Sequence, residues 1–156
     1  MVRFFWSIAF FAFATSVFAG ERLTALVTAA QEFSVAIQEQ LAAVQSDISA
    51  TQLAEKMVLY AKAKKAYYNA LRAEMPEMID IATGRQPSPP DLDKFPIAFS
   101  VAGETQEKAT DQETSILLQR FSGNPGVKKA RAEFERAQEV EERFLHDFEG
   151  VDFTMR

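Results

Sequence analysis

The sequence predicts an all-α protein: an antiparallel helical bundle or elongated helical hairpin of three to four helices, with one Pro-rich loop. Glycine and proline, the strongest breakers of regular structure, are both missing between Glu21 and Met75. Within this run, apolar residues recur three or four positions apart, which is the period of an amphipathic helix or a coiled-coil seam. These residues are Leu23, Leu26, Ala30, Phe33, Ile37, Leu41, Val44 and Ile48. We expect Phe33, Ile37, Leu41 and Val44 to be among the most buried.

Cap-forming residues mark where the second helix begins. Ser49 and Gln52 fit a capping box, so a turn near residues 46–51 is favoured over one continuous helix. Pro76 is expected to kink the second helix or to restart it as a short helical turn that ends before Gly84.

Two further helices follow in the second half of the chain. Thr110 and Glu113 fit another capping box, which predicts that a third helix begins at Thr110 and ends at Gly123. Asn124, followed by a proline, predicts the N-cap of a fourth helix that runs to about Glu149. The short connections predict that helices adjacent in sequence pack side by side.

Residues 85–96 form the predicted loop, because the sequence RQPSPPDLDKFP contains four prolines. Asp91 and Asp93 in this loop lack the glycine and the ligand spacing of an EF-hand, so they do not indicate a calcium site. The apolar segment around and after the end of the loop is a candidate surface for a protein partner. Its candidate partner-binding residues are Phe95, Ile97, Phe99 and Val101.

The first twenty residues have the three parts of a secretory signal peptide. Arg3 precedes an uninterrupted apolar stretch, which ends with the small residue Ala19. As a helix this stretch spans only about 24 Å, less than the roughly 30 Å of a membrane's hydrocarbon core. We therefore expect residues 1–19 to be removed rather than retained as a membrane anchor. Residues 20–156 are then a single helical domain, exported to the periplasm or the extracellular space.

The composition limits the classes of partner. The chain has no cysteine, so no disulfide can form and packing alone must stabilise the exported domain. Its net charge of −5 gives no electrostatic reason to expect nucleic acid or anionic lipid as a partner. The lysines and tyrosines of the segment KMVLYAKAKKAYYNALR are interpreted as a solvated face and a core face of one helix.

The sequence contains no motif that indicates catalysis. His146 is the only histidine, and it falls on the predicted solvent side of the fourth helix without the Glu-x-x-His pattern of di-iron bundles. The acidic clusters are interpreted as solvated ion-pairing surfaces. We therefore predict no catalytic residue, no metal site and no cofactor.

Two charged residues interrupt the apolar stripes. Lys64 lies on the same face of the second helix as Met57 and Leu71, and Glu141 lies on the same face of the fourth helix as Phe134. We predict that Lys64 and Glu141 form a partly buried ion pair that fixes the register of the two helices. The alternatives are that each side chain snorkels to solvent, or that the two belong to a functional polar site facing a pocket.

These observations favour an exported, non-enzymatic interaction module. It would act as an adaptor, a chaperone-like protein or an accessory subunit of an envelope assembly, and its partner would be another envelope or secreted protein. The alternative is a small-molecule-binding helical sensor, with a pocket lined by tyrosines and methionines of the second helix. A carboxylate-dependent hydrolase is the least favoured hypothesis. The sequence does not indicate an oligomeric state.

The signal-peptide hypothesis predicts that the mature protein begins at Gly20 or within a few residues of it. N-terminal sequencing of the exported protein checks this. Full-length protein that retains Met1 in the membrane fraction would contradict it.

Overall fold

The computed structural model describes residues 21–82, 85 and 101–149. Within these ranges the protein is an all-α helical bundle without a strand. Its four helices are α1 (Glu21–Val44), α2 (Ala50–Ala82), α3 (Val101–Arg120) and α4 (Pro125–Asp147). The predicted signal peptide lies outside the described residues, as does the Pro-rich loop apart from Arg85.

The break between α1 and α2 lies where the sequence predicts it. The Ser49 backbone N–H donates to Gln52 Oε1 at 3.1 Å, and the Gln52 N–H donates to Ser49 Oγ at 3.3 Å. This reciprocal pair is a capping box.

An exposed ion pair joins Glu39 Oε2 of α1 to Lys56 Nζ of α2 at 3.3 Å, and the ring centroids of Phe33 and Tyr67 lie 5.0 Å apart. Because these contacts run in opposite chain order, the two helices form an antiparallel hairpin.

α2 does not restart at Pro76 but continues through it to Ala82. A proline inside a helix leaves the carbonyl four residues earlier, here that of Arg72, without its usual donor. Pro76 is exposed, so water can reach this side of the helix.

The predicted start of α3 is wrong. α3 begins at Val101, and Thr110 lies completely buried in its interior. The Thr110 hydroxyl donates to the Gln106 carbonyl of the preceding turn at 2.8 Å. A threonine inside a helix can form this hydrogen bond to the residue four positions earlier. Thr110 and Glu113 thus have the spacing of a capping box without forming one.

The predicted start of α4 is confirmed. Asn124 Oδ1 accepts hydrogen bonds from the backbone N–H groups of Gly126 and Val127, at 2.9 and 3.2 Å. Pro125 occupies the first helical position, where its missing N–H has no consequence.

α2 packs along both α1 and α4, and α1 packs against α3. The most extensive of these contacts joins α2 and α4, which are not adjacent in sequence, so the expectation that sequential helices pair holds only in part. The ring centroids of Tyr60 and Phe134 lie 6.2 Å apart, and those of Tyr68 and Phe144 lie 5.7 Å apart. Because both pairs follow the same chain order, α2 and α4 run in parallel.

Three of the four residues of α1 that were expected to be most buried are buried, and one is not. Phe33, Ile37 and Val44 are buried as predicted, but Leu41 is only half-buried. Gln40, 1% exposed, takes the core position, and its Nε2 donates to Thr114 Oγ1 of α3 at 3.1 Å. The stripe therefore passes through residue 40, which places a polar side chain between α1 and α3.

Replacing Ile37 by Ala should lower the free energy of unfolding by about 2–5 kcal/mol, because it leaves a cavity in the core. Leu41→Ala, which removes a half-buried side chain of the same helix, should cost clearly less. Urea denaturation measures both. A loss below about 0.5 kcal/mol for Ile37→Ala would show that this face is not core.

Candidate functional site

The most unusual site in the described structure is a fully buried lysine shared by three carboxylates. Lys64, near the middle of α2, is 0% exposed. Its Nζ lies 2.9 Å from Glu107 Oε1, 2.6 Å from Asp111 Oδ2 and 2.5 Å from Glu141 Oε2. The ammonium has three N–H donors, so each carboxylate can accept one of them.

Two tyrosines of α2 complete this arrangement. The Tyr60 hydroxyl donates to Asp111 Oδ1 at 2.6 Å. The Tyr68 hydroxyl lies 2.8 Å from Glu107 Oε2 and 3.5 Å from Glu141 Oε1. These two tyrosines, Lys64 and the three acids are called the Lys64 cluster below. It joins α2, α3 and α4 through charge-assisted hydrogen bonds, which are about twice as strong as neutral ones.

The cluster carries more negative than positive charge. With all three carboxylates ionised, one ammonium faces three negative charges in a buried volume, which costs more free energy than it would in water. Burial raises the pKa of Glu107 to about 7; Lys64 opposes this shift and the charge of Glu141 adds to it. Near neutral pH, Glu107 therefore holds a proton for part of the time, which reduces the charge imbalance.

The donors of the cluster stay protonated. Burial alone would lower the pKa of Lys64, but the combined effect of Glu107, Asp111 and Glu141 raises it above its ordinary value. Burial and the neighbouring carboxylates likewise raise the pKa of the Tyr60 and Tyr68 hydroxyls. The lysine is consequently a permanent cation here, and both tyrosines remain hydrogen-bond donors.

The structure brings together Lys64 and Glu141, the two charges singled out in the sequence. Snorkelling of Lys64, one of the alternatives, is excluded because the side chain has no exposed surface. Sequence reasoning missed Glu107 and Asp111, since it placed the start of α3 at Thr110. Had the helix been extended backwards, these two acids would have shown the spacing of neighbours on one helix face.

The three carboxylates also have the spacing of a cation site, with ligand oxygens within 4.8 Å of one another. The Lys64 ammonium, however, lies within 2.9 Å of all three. It supplies the positive charge that a metal ion would otherwise supply. We therefore assign these acids as ion-pair partners of Lys64 rather than as metal ligands.

The remaining candidates lie elsewhere. Phe95, Ile97 and Phe99 are outside the described residues, and Val101 is the first residue of α3, where only the backbone is described. His146 is exposed near the end of α4.

The chain matches no protein-family model, no curated protein and no solved structure. Any function must therefore be argued from the residues themselves. None of the described helices is both long and apolar enough to cross a membrane.

Replacing Lys64 by Met should lower the free energy of unfolding by about 3–5 kcal/mol, because the buried Glu107 and the half-buried Asp111 and Glu141 lose their cation. Lys62→Met, which replaces an exposed lysine of the same helix, should alter the free energy of unfolding by less than about 0.5 kcal/mol.

In a double-mutant cycle measured by urea denaturation, Lys64→Met and Glu141→Leu should show a coupling of about 0.5–3 kcal/mol. A coupling near zero would contradict a shared ion pair.

Proposed function

We propose that the protein is an exported, non-enzymatic helical interaction module that binds another envelope or secreted protein. It would serve as an adaptor, a chaperone-like protein or an accessory subunit of an envelope assembly. The observation that supports this proposal is a pair of exposed apolar side chains on the α1–α2 hairpin. Val35 and Leu59 are 42% and 58% exposed; together they are called the hairpin face. Exposed apolar side chains that lie near each other are typical of surfaces that a partner covers.

The position of the Lys56–Glu39 ion pair locates the hairpin face. Leu59 lies about one turn after Lys56 on α2, and Val35 lies about one turn before Glu39 on α1. Because the helices are antiparallel, Val35 and Leu59 share one edge of the hairpin. The edge thus combines apolar residues with one exposed charge of each sign, as in the polar rim of a protein interface.

The Lys64 cluster favours a structural role over a carboxylate-dependent hydrolase. In such hydrolases the two acids flank the bond to be cleaved, with room for the substrate between them. Here the Lys64 ammonium lies between Glu107 and Glu141, at 2.9 and 2.5 Å. The acids are therefore engaged in joining α3 and α4 to α2, which is one of the two helices that carry the hairpin face.

One observation favours the second candidate, a small-molecule sensor: a buried oxygen atom without a hydrogen-bond donor among the described residues. Gln40 Oε1 is buried and accepts no hydrogen bond from the residues that the structure describes. Buried acceptors usually find a donor, so this oxygen could accept one from a water molecule or a bound ligand. A sensor would show a ligand-dependent rise in melting temperature that Gln40→Leu removes.

A photo-activated cross-linker placed at position 59 should give a discrete adduct with one envelope or secreted protein. The matched control is position 145, because Leu145 on α4 is 52% exposed and lies off the hairpin face. We expect no adduct there, since a partner that covers the hairpin leaves α4 uncovered. Mass spectrometry of the adducts identifies the partner.

A double substitution then tests the face in the unmodified protein. Val35→Ser with Leu59→Ser should weaken co-purification of that partner about tenfold or more, a loss of at least 1.4 kcal/mol. The melting temperature should stay unchanged, since both side chains are already exposed. Identical adducts at positions 59 and 145, or undiminished co-purification of the double variant, would overturn the proposal.

A further inference from the structure

α3 contacts the rest of the bundle in two chemically different ways. Near its C-terminal end, Leu118 is part of the apolar core and Phe121, in the following turn, packs against it. Two to three turns earlier, Glu107 and Asp111 reach α2 through Lys64 and the two tyrosines of the cluster. The C-terminal end is thus held by burial of apolar surface, and the earlier part by charges and hydrogen bonds.

The polar attachment depends on the charge state of one acid. Glu107 and Glu141 both contact the Lys64 ammonium, and the same Tyr68 hydroxyl faces both carboxylates. If both carboxylates are ionised, they repel each other across a shared donor, and Glu107 does so from a buried position. If Glu107 carries a proton, the repulsion is removed while its carbonyl oxygen can still accept from Lys64.

We propose that the N-terminal part of α3, residues 104–114, is a pH-sensitive latch that docks on α2 when Glu107 is protonated and releases as Glu107 ionises. Leu118 and Phe121 anchor the other end, so release is local. This inference stands independently of the proposed partner-binding function.

The direction of the pH effect follows from the two states of Glu107. In the docked state burial, opposed by Lys64, raises its pKa to about 7, whereas a hydrated Glu107 in the released helix returns to 4.5. The docked state therefore binds the proton more tightly. Docking is strongest below the lower value, weakens as the pH rises between the two and levels off above the higher one. Between about pH 5 and about pH 8 the docking equilibrium constant should fall roughly 70-fold.

The other groups around Glu107 define the background against which it titrates. From α2, Lys64 and the buried tyrosines keep their protons in this range, because their pKa values are raised. From α4, Glu141 forms its ion pair with Lys64. On α3 itself, Asp111 is held by Lys64 and Tyr60, and the exposed Lys108 has a raised pKa through its hydrogen bond to Glu104.

From α1, the neutral Gln40 contacts α3 through Thr114. This contact carries no charge, so it does not change with pH in the range where Glu107 titrates.

Release would also change the surroundings of two of the three tyrosines in the chain. The three tyrosines are Tyr60, Tyr67 and Tyr68, and the hydroxyls of Tyr60 and Tyr68 bond to acids of α3. Tyrosine absorbance therefore reports on the latch directly. Undocking exposes these two hydroxyls to water.

Hydrogen exchange of the mature protein, measured at about pH 5 and about pH 8 and corrected for intrinsic exchange rates, tests the latch. Amides of residues 104–114 should open roughly 70-fold more readily at the higher pH. Amides of α4 should keep their opening constants, because α4 remains packed on α2.

Two matched variants test whether Glu107 causes the pH dependence of opening. Glu107→Gln carries no titrating group and should remove the pH dependence of opening, whereas Glu113→Gln, an exposed acid on the same helix, should retain it. If Glu107→Gln does not fold, the wild-type tyrosine absorbance decides, since it should change with pH between about 4.5 and about 7 and level off above this range. Equal opening of residues 104–114 at both pH values would overturn the latch, as would equal changes in α4 or a Glu107→Gln variant that keeps the dependence.

Discussion

The structure depends on one buried ammonium group. Lys64 lies at 0% exposure in the face of α2 that packs into the bundle. Without partners, a charge at this position would cost several kcal/mol and would exclude α2 from the core. Acids from α3 and α4 have to meet there, at distances of 2.5 to 2.9 Å. The position of Lys64 along α2 thus fixes the registers of two other helices, one of which is distant from it in sequence.

The polar character of α3 follows from this constraint. Its buried side chains include Glu107, Thr110 and Thr114, whereas the buried side chains of α4 are apolar, with Phe134 and Phe144 among them. A helix with so polar an inner face gains little from the hydrophobic effect, so its attachment relies on hydrogen bonds and charge. Such contacts are specific in geometry and sensitive to protonation. A helix attached in this way is a suitable element for a switch, while α1, α2 and α4 supply most of the apolar core.

Local signals in the sequence predicted much of the fold. The capping box at Ser49 and the N-cap at Asn124 each depend on a few neighbouring residues, and the structure contains both. The run without glycine or proline forms α1, most of α2 and the short turn between them. The start of α3 was missed because a Thr-x-x-Glu spacing occurs both at a helix start and inside a helix. For the site, Lys64 and Glu141 were visible as charges within apolar stripes. The two acids of α3 were not, because their role depends on how α3 lies across α2.

The most direct test of this account is an NMR measurement of the Lys64 side chain. A fully buried ammonium whose three donors are all engaged by carboxylates exchanges its protons slowly with water and stays protonated above its ordinary pKa of 10.5. A separate, slowly exchanging Lys64 Nζ signal at about pH 5, where α3 is docked, with cross-peaks to protons of Glu107 and Glu141, is the predicted result. A Lys64 signal that exchanges as fast as those of the exposed lysines would contradict the central role given to this residue.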